Sequence, residues 1–119
     1  MVDTIADLEF MEANLSNVTT IIEGIFGTGL DRTISGTYAY VISLINSSLK
    51  YIISIDVPSG LDSTSGDSWG EIVDCDLIVS MQLMKQGVFE RSIYKNKCIV
   101  EDIGIPQKAI NHILDKMAD

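Results

Sequence analysis

Lys50-Tyr51-Ile52-Ile53-Ser54-Ile55-Asp56-Val57-Pro58-Ser59-Gly60-Leu61-Asp62 is the stretch on which the reading of this sequence turns. Lys50 to Asp56 is rich in β-formers and predicts a strand, which Pro58 and Gly60 bring to a stop. Asp56 therefore carries a carboxylate on the last residue of a strand. A proline stiffens the chain two residues on, and a hydroxyl and a permissive glycine follow. A carboxylate so placed can act as a general acid or base, or can hold a cation with Glu23 if the two strands are neighbours.

Upstream, Val18-Thr19-Thr20-Ile21-Ile22 is β-branched throughout and follows the turn formers Asn14, Ser16 and Asn17. It predicts a strand buried on both faces, as in a parallel sheet. Before it, Ile5, Leu8, Met11 and Leu15 recur at mostly helical intervals and predict a short helix or an ordered lead-in over residues 3–15. Between the two strands, Tyr38, Val41, Leu44, Ile45 and Leu49 follow three- and four-residue spacing, which marks an amphipathic helix. Downstream, residues 61–70 read as a long surface loop and residues 76–81 as a third strand. Residues 85–96 read as loops or a short strand, and residues 98–103 as a later strand. A closing helix starts near Pro106, with Ile110, Ile113, Leu114 and Met117 on one face.

Strand, helix, strand, further strands and a terminal helix make an α/β layout, in which a right-handed crossover sets the first two strands side by side and parallel. With one clear crossover helix, much of one sheet face would lack a cover, as in a partial domain. Ligands of open α/β sheets bind outside the carboxyl ends of the strands. Two loops leave such ends. One is 23–33, where Gly24, Gly27 and Gly29 let backbone N–H groups approach an anion and Arg32 adds positive charge. The other is 56–62.

The 119 residues, 46% apolar and 21% charged, suit one globular domain. Lys plus Arg number 8 against 17 for Asp plus Glu, a formal charge of −9 that would repel nucleic acid. The apolar runs fall far short of the ~20 residues that span a bilayer, so no membrane partner is expected. Acidic residues stand where a leader would carry Lys or Arg, which predicts a cytoplasmic protein. Cys75 and Cys98 then read as reduced thiols, forming neither a disulfide framework nor a zinc site. His112 falls on the polar side of the final helix, and Trp69 reads as an anchor for its loop. Lys85 could neutralise a phosphate. Asp76 reads as structural, and with Asp62, Asp67, Glu71 and Asp74 it forms a solvated acidic rim.

Several of these segments together resemble the NAD(P)H-hydrate epimerases, the YjeF N-terminal domain family. Gly24-Ile25-Phe26-Gly27-Thr28-Gly29-Leu30 is similar to that family's F-G-T-G-L segment, and Ile45-Asn46 to its helix-ending pair. Ile55-Asp56-Val57-Pro58-Ser59-Gly60-Leu61-Asp62 is similar to its I-D-x-P-S-G-x-D signature. Gly66 to Gly70, Asp76, Lys85-Gln86-Gly87 and Asp102-Ile103-Gly104-Ile105-Pro106 follow in the same order.

The resemblance implies a Rossmann-like α/β/α sandwich with a mostly parallel sheet. It also implies interconversion of the R and S epimers of hydrated NADH or NADPH, a damaged cofactor whose S form a dehydratase repairs. On that reading Gly27, Thr28, Gly29, Leu30, Asp31, Arg32 and Thr33 contact the dinucleotide, Asp56 is the substrate-contacting acid, and Glu23 and Ser59 are ligands of one potassium ion. Glu23 stands where the family has Asp, so one added methylene must be absorbed by the site or moves the ion. The family's first half, with its G-x-G-N-N-G-G-D-G segment, has no counterpart here. Residues 1–119 thus resemble the carboxy-terminal half of the domain, which would pack with the first half or self-associate, and to which a dehydratase domain could be linked. The alternative is a non-catalytic dinucleotide-binding or protein-interaction fragment.

Overall fold

A computed structural model describes residues 5–26 and 32–104, together with Pro106, Lys108, Asn111, His112 and Lys116. Helix α1 (Ile5–Asn14) runs into a short 3-10 turn and then strand β1 (Thr20–Glu23). Helix α2 (Gly36–Ser47) leads to strand β2 (Tyr51–Ile55), and strand β3 (Leu77–Met81) follows a long connection. Two single-turn helices, α3 (Gln86–Phe89) and α4 (Ser92–Lys95), precede strand β4 (Cys98–Glu101). The strands form one sheet in the order β1-β2-β3-β4, and every neighbouring pair is parallel. This is the Rossmann-like α/β architecture that the sequence predicts.

The topology explains where the core lies. Strands added in one direction by right-handed crossovers place every connection on the same side of the sheet. On that side Ile52, Ser54, Ile78 and Ser80 are buried, and Val41, Ile42 and Ile45 of α2 pack down onto them with Val57, Leu61, Val73, Val88 and Tyr94. On the other side Ile22 is 68% exposed, Tyr51 49% and Ile99 45%, and no helix covers that face among the described residues.

Four expectations need correction or restriction. The first strand is not buried on both faces, because it is the sheet edge and turns Ile22 to the uncovered side. The connection after β2 is not simply a surface loop: Leu61 and Gly66 are buried, and Leu61 forms a bridge with Ser68. Residues 85–96 are helical rather than loop or strand, because Val88 and Tyr94 must reach the core while Phe89 and Glu90 close helical turns onto Lys85 and Gln86. The closing helix lies mostly outside the described residues, of which His112 is exposed. Asp76 is structural as expected, its carboxylate accepting the Ile52 N–H at 2.8 Å and its own N–H donating to the Ile52 carbonyl at 2.8 Å. No helix among the described residues is long and apolar enough to cross a membrane.

Candidate functional site

Parallel pairing brings the carboxyl ends of β1 and β2 together, with Glu23 directly beside Ser54 in the register. Both side chains therefore point to the covered face, and the Ser54 hydroxyl donates to the Glu23 carboxylate. The Val57-Pro58 turn carries Ser59 back over the same carboxylate. Its N–H donates at 3.1 Å and its hydroxyl at 2.6 Å, while the Ile25 N–H approaches at 3.4 Å. The Ser59 hydroxyl also accepts the Phe26 N–H at 2.9 Å, with the Phe26 carbonyl 3.3 Å from the same oxygen. Glu23 is 3% exposed, so its charge is buried and compensated by these donors.

Asp56 lies one residue beyond β2. Its φ is 71°, in the left-handed region that Asp tolerates better than most side chains. The Val57 N–H closes onto the Ile55 carbonyl at 2.9 Å, so Asp56 sits at the centre of a three-residue turn. Two bonds hold its backbone: its N–H donates to Val79 at 2.8 Å, and its carbonyl accepts the Ser80 hydroxyl at 3.0 Å. Oδ1 of its carboxylate accepts the Met81 N–H at 3.3 Å and pairs with the Lys85 ammonium at 2.7 Å. Strain of this kind at a strand end is where a working group is looked for.

Two glycines make this arrangement possible. Gly60 has φ 100°, and a Cβ there would lie 2.3 Å from the Glu71 carbonyl oxygen. At Gly87 a Cβ would lie 2.0 Å from the Asp62 carbonyl oxygen, so the Lys85-Gln86-Gly87 step fits flush against the loop that continues the Asp56 turn. That loop is tied internally as well. The Asp62 carboxylate accepts N–H bonds from Ser65, Thr64 and the Trp69 indole, which hold it below the usual carboxylate range. Trp69 is thus the anchor the sequence predicts, and its carbonyl accepts the Ile34 N–H at 2.7 Å where the first glycine loop returns.

A cavity of about 450 Å³ opens beside β1, lined by Met11, Ile22, Glu23, Gly24, Tyr38 and Val41 among others. The Tyr38 ring packs on Phe26, centroids 5.1 Å apart, at the mouth of the glycine loop. Of the residues expected at the dinucleotide, Arg32 and Thr33 are exposed, and Gly27, Thr28, Gly29, Leu30 and Asp31 lie outside the described residues. The structure hydrogen-bonds the Ser59 hydroxyl to the Glu23 carboxylate and pairs Asp56 with Lys85. Among the described residues no three His, Cys, Asp or Glu side chains gather as a metal-holding group. The oxygens around Glu23 are nonetheless of the kind a hard cation takes: a carboxylate, the Ser59 hydroxyl and the Phe26 carbonyl.

Sequence reasoning missed Ser54, Tyr38 and the pairing of Lys85 with Asp56. A serine inside an isoleucine run was the available signal for Ser54, since a buried strand hydroxyl needs a partner.

The fold and the strand-end groups make this an α/β protein with a candidate ligand site at the carboxyl ends of its parallel strands. The sequence model described as YjeF-related protein N-terminus matches residues 2–87, and the chain belongs to that family. It is similar to an NAD(P)H-hydrate epimerase of Anaerococcus prevotii, 65% identical over 111 residues, covering 93% of this chain and 51% of the relative. An NAD(P)H-hydrate epimerase of Nitrosopumilus maritimus is 39% identical over 79% of this chain and 44% of its own length. A bifunctional NAD(P)H-hydrate repair enzyme of Dictyoglomus turgidum is 39% identical over 85% of this chain and 20% of its own. The chain thus spans about half the length of these single-activity relatives.

Proposed function

We propose that this chain is the carboxy-terminal half of an NAD(P)H-hydrate epimerase domain, with Asp56 as its acid/base group. The observation that carries the reading is Asp56 itself: a strand-end carboxylate in a strained turn, with Oδ1 engaged and Oδ2 accepting no hydrogen bond among the described residues. The relatives named NAD(P)H-hydrate epimerase support the substrate, hydrated NADH or NADPH. The sheet face that no helix covers among the described residues, and the place of β1 at the sheet edge, support a first half that packs there.

The chemistry follows from the substrate's hydroxyl-bearing carbon beside a ring nitrogen. A solvent proton relayed by the Asp56 carboxyl group joins the departing hydroxyl, the C–O bond breaks, and the nitrogen lone pair forms a C=N bond. Water then adds to the opposite face of that carbon, and the carboxylate takes back the proton. The segment Gly27, Thr28, Gly29, Leu30, Asp31, Arg32 and Thr33 would receive the pyrophosphate through backbone N–H groups and the Arg32 charge. Glu23, Ser59 and the Phe26 carbonyl would hold a potassium ion, which when bound supplies a positive charge that neutralises the buried carboxylate. A cytoplasmic setting suits the free thiols of Cys75 and Cys98.

The test is epimerisation of purified R-form hydrated NADPH by the folded chain, followed by chromatography against the spontaneous rate, with and without potassium. Acceleration is the expected result. A rate equal to the spontaneous one, from protein shown to be folded by circular dichroism, would favour the non-catalytic fragment instead.

A further inference from the structure

The geometry points to Lys85 as a positioning residue for Asp56: its ammonium and the Met81 N–H hold Oδ1 of the carboxylate, and Oδ2 is the oxygen that moves the proton. This rests on the reading of Asp56 as the acid/base group.

The ammonium is held at a fixed point. Besides the 2.7 Å contact with Asp56 Oδ1, it donates to the Leu83 carbonyl at 3.0 Å and reaches the Met81 carbonyl at 3.5 Å. An ammonium has three N–H donors, and these three oxygens engage them all, which leaves none to grip a phosphate. The Lys85 side chain is 24% exposed and that of Asp56 22%, so both charges sit at the rim of the fold rather than swinging in solvent. The backbone under the lysine is fixed as well. Gly87 is pressed against the Asp62 carbonyl, and its N–H donates to Ser63 at 2.8 Å.

The carboxylate on its own would turn freely, because rotation about its terminal bond has broad minima. Two donors on one oxygen remove that freedom and fix the place of the other oxygen. Proton transfer depends on geometry before anything else, and a displacement of about 1 Å costs on the order of a hundredfold in rate. The ion pair also cancels the Asp56 charge against the phosphates of an incoming dinucleotide.

The experiment measures kcat and KM for hydrated NADPH in the full chain, with Lys85→Met, Lys85→Arg and Asp56→Asn. Lys85→Met is expected to lower kcat about ten- to hundredfold with KM within roughly twofold. Lys85→Arg, which keeps a cationic donor at Oδ1, should recover part of that loss. A raised KM at unchanged kcat would overturn the proposal in favour of a phosphate contact. Asp56→Asn at the unaltered rate would sink the acid/base reading itself, whereas a dead Asp56→Asn beside an undiminished Lys85→Met would sink only the positioning role. A second measurement needs no turnover: nitrogen-15 NMR of the lysine ammonium groups. A slowly exchanging Lys85 signal that disappears in Asp56→Asn is the expected result, and a signal indifferent to Asp56→Asn contradicts the pairing.

Discussion

Two carboxylates stand at the ends of neighbouring parallel strands, and their surroundings differ in kind. Glu23 is 3% exposed and takes bonds from Ile25, Ser54 and Ser59, so both of its oxygens are occupied. Asp56 keeps 22% of its side chain exposed, bends its backbone into the left-handed region, and engages Met81 and Lys85 through Oδ1. A buried charge is tolerable only when its hydrogen bonds are complete. Glu23 therefore fastens the Ser59 turn to β1, whereas Oδ2 of Asp56 accepts no hydrogen bond among the described residues, which suits the proposed acid/base role. On the proposed reading, what separates the two acids is the saturation of their lone pairs rather than their position at a strand end.

This contrast can be broken or sharpened by substitution. The largest stability effect is expected at Glu23, where Ala removes the carboxylate that accepts from the Ser59 N–H and from the Ser54 and Ser59 hydroxyls. Urea denaturation should show a loss of about 3 kcal/mol, while Asp56→Asn, compatible with the same turn, should cost less than about 1 kcal/mol. Equal losses at the two positions would abolish the distinction. Next comes Gly60→Ala, which forces a Cβ to within 2.3 Å of the Glu71 carbonyl at φ 100° and so displaces Ser59 from Glu23. It should cost about 2 kcal/mol in the same assay.

Lys85→Met sharpens the contrast from the other side. Its ion pair is at the rim and partly solvated, so the stability change should stay below about 1 kcal/mol even though the rate falls. A thermal melt alongside the kinetics separates the two effects. The smallest effect is expected in the acid limb of stability. Asp62 is held below the usual carboxylate range by N–H bonds from Ser65 and Thr64, so it contributes stability above its unfolded value and loses it as the pH falls through its folded one. Asp62→Asn should flatten that part of a plot of melting temperature against pH, and an unchanged slope would remove Asp62 from the account.

The sequence made much of the frame legible. Isoleucine-rich runs mark β1 and β2, three- and four-residue spacing marks α2, and Asp56-Val57-Pro58 places a carboxylate at a strand end. What it concealed is tertiary. Ile21 and Ile22 look alike in sequence, yet Ile22 is exposed because β1 is an edge beside a face that no helix covers among the described residues. Helices α3 and α4 span four residues each, too few to show a period. The Ser54 hydroxyl acquires meaning only through the register that sets it beside Glu23, and Lys85 reaches Asp56 only because β3 lies next to β2. Asn46, recognisable as the end of α2, is likewise explained by contacts outside its helix. Its amide donates to the Ile72 carbonyl at 2.9 Å and accepts the Asp74 N–H at 2.7 Å, fixing the approach to β3.

The most direct test of the account compares Asp56→Asn and Glu23→Gln with the unaltered chain in one assay, the approach of R-form hydrated NADPH to its epimeric equilibrium, with folding verified by circular dichroism. The account predicts that Asp56→Asn falls to the spontaneous rate while Glu23→Gln, though less stable, still accelerates the reaction. Unaltered turnover in Asp56→Asn would contradict it.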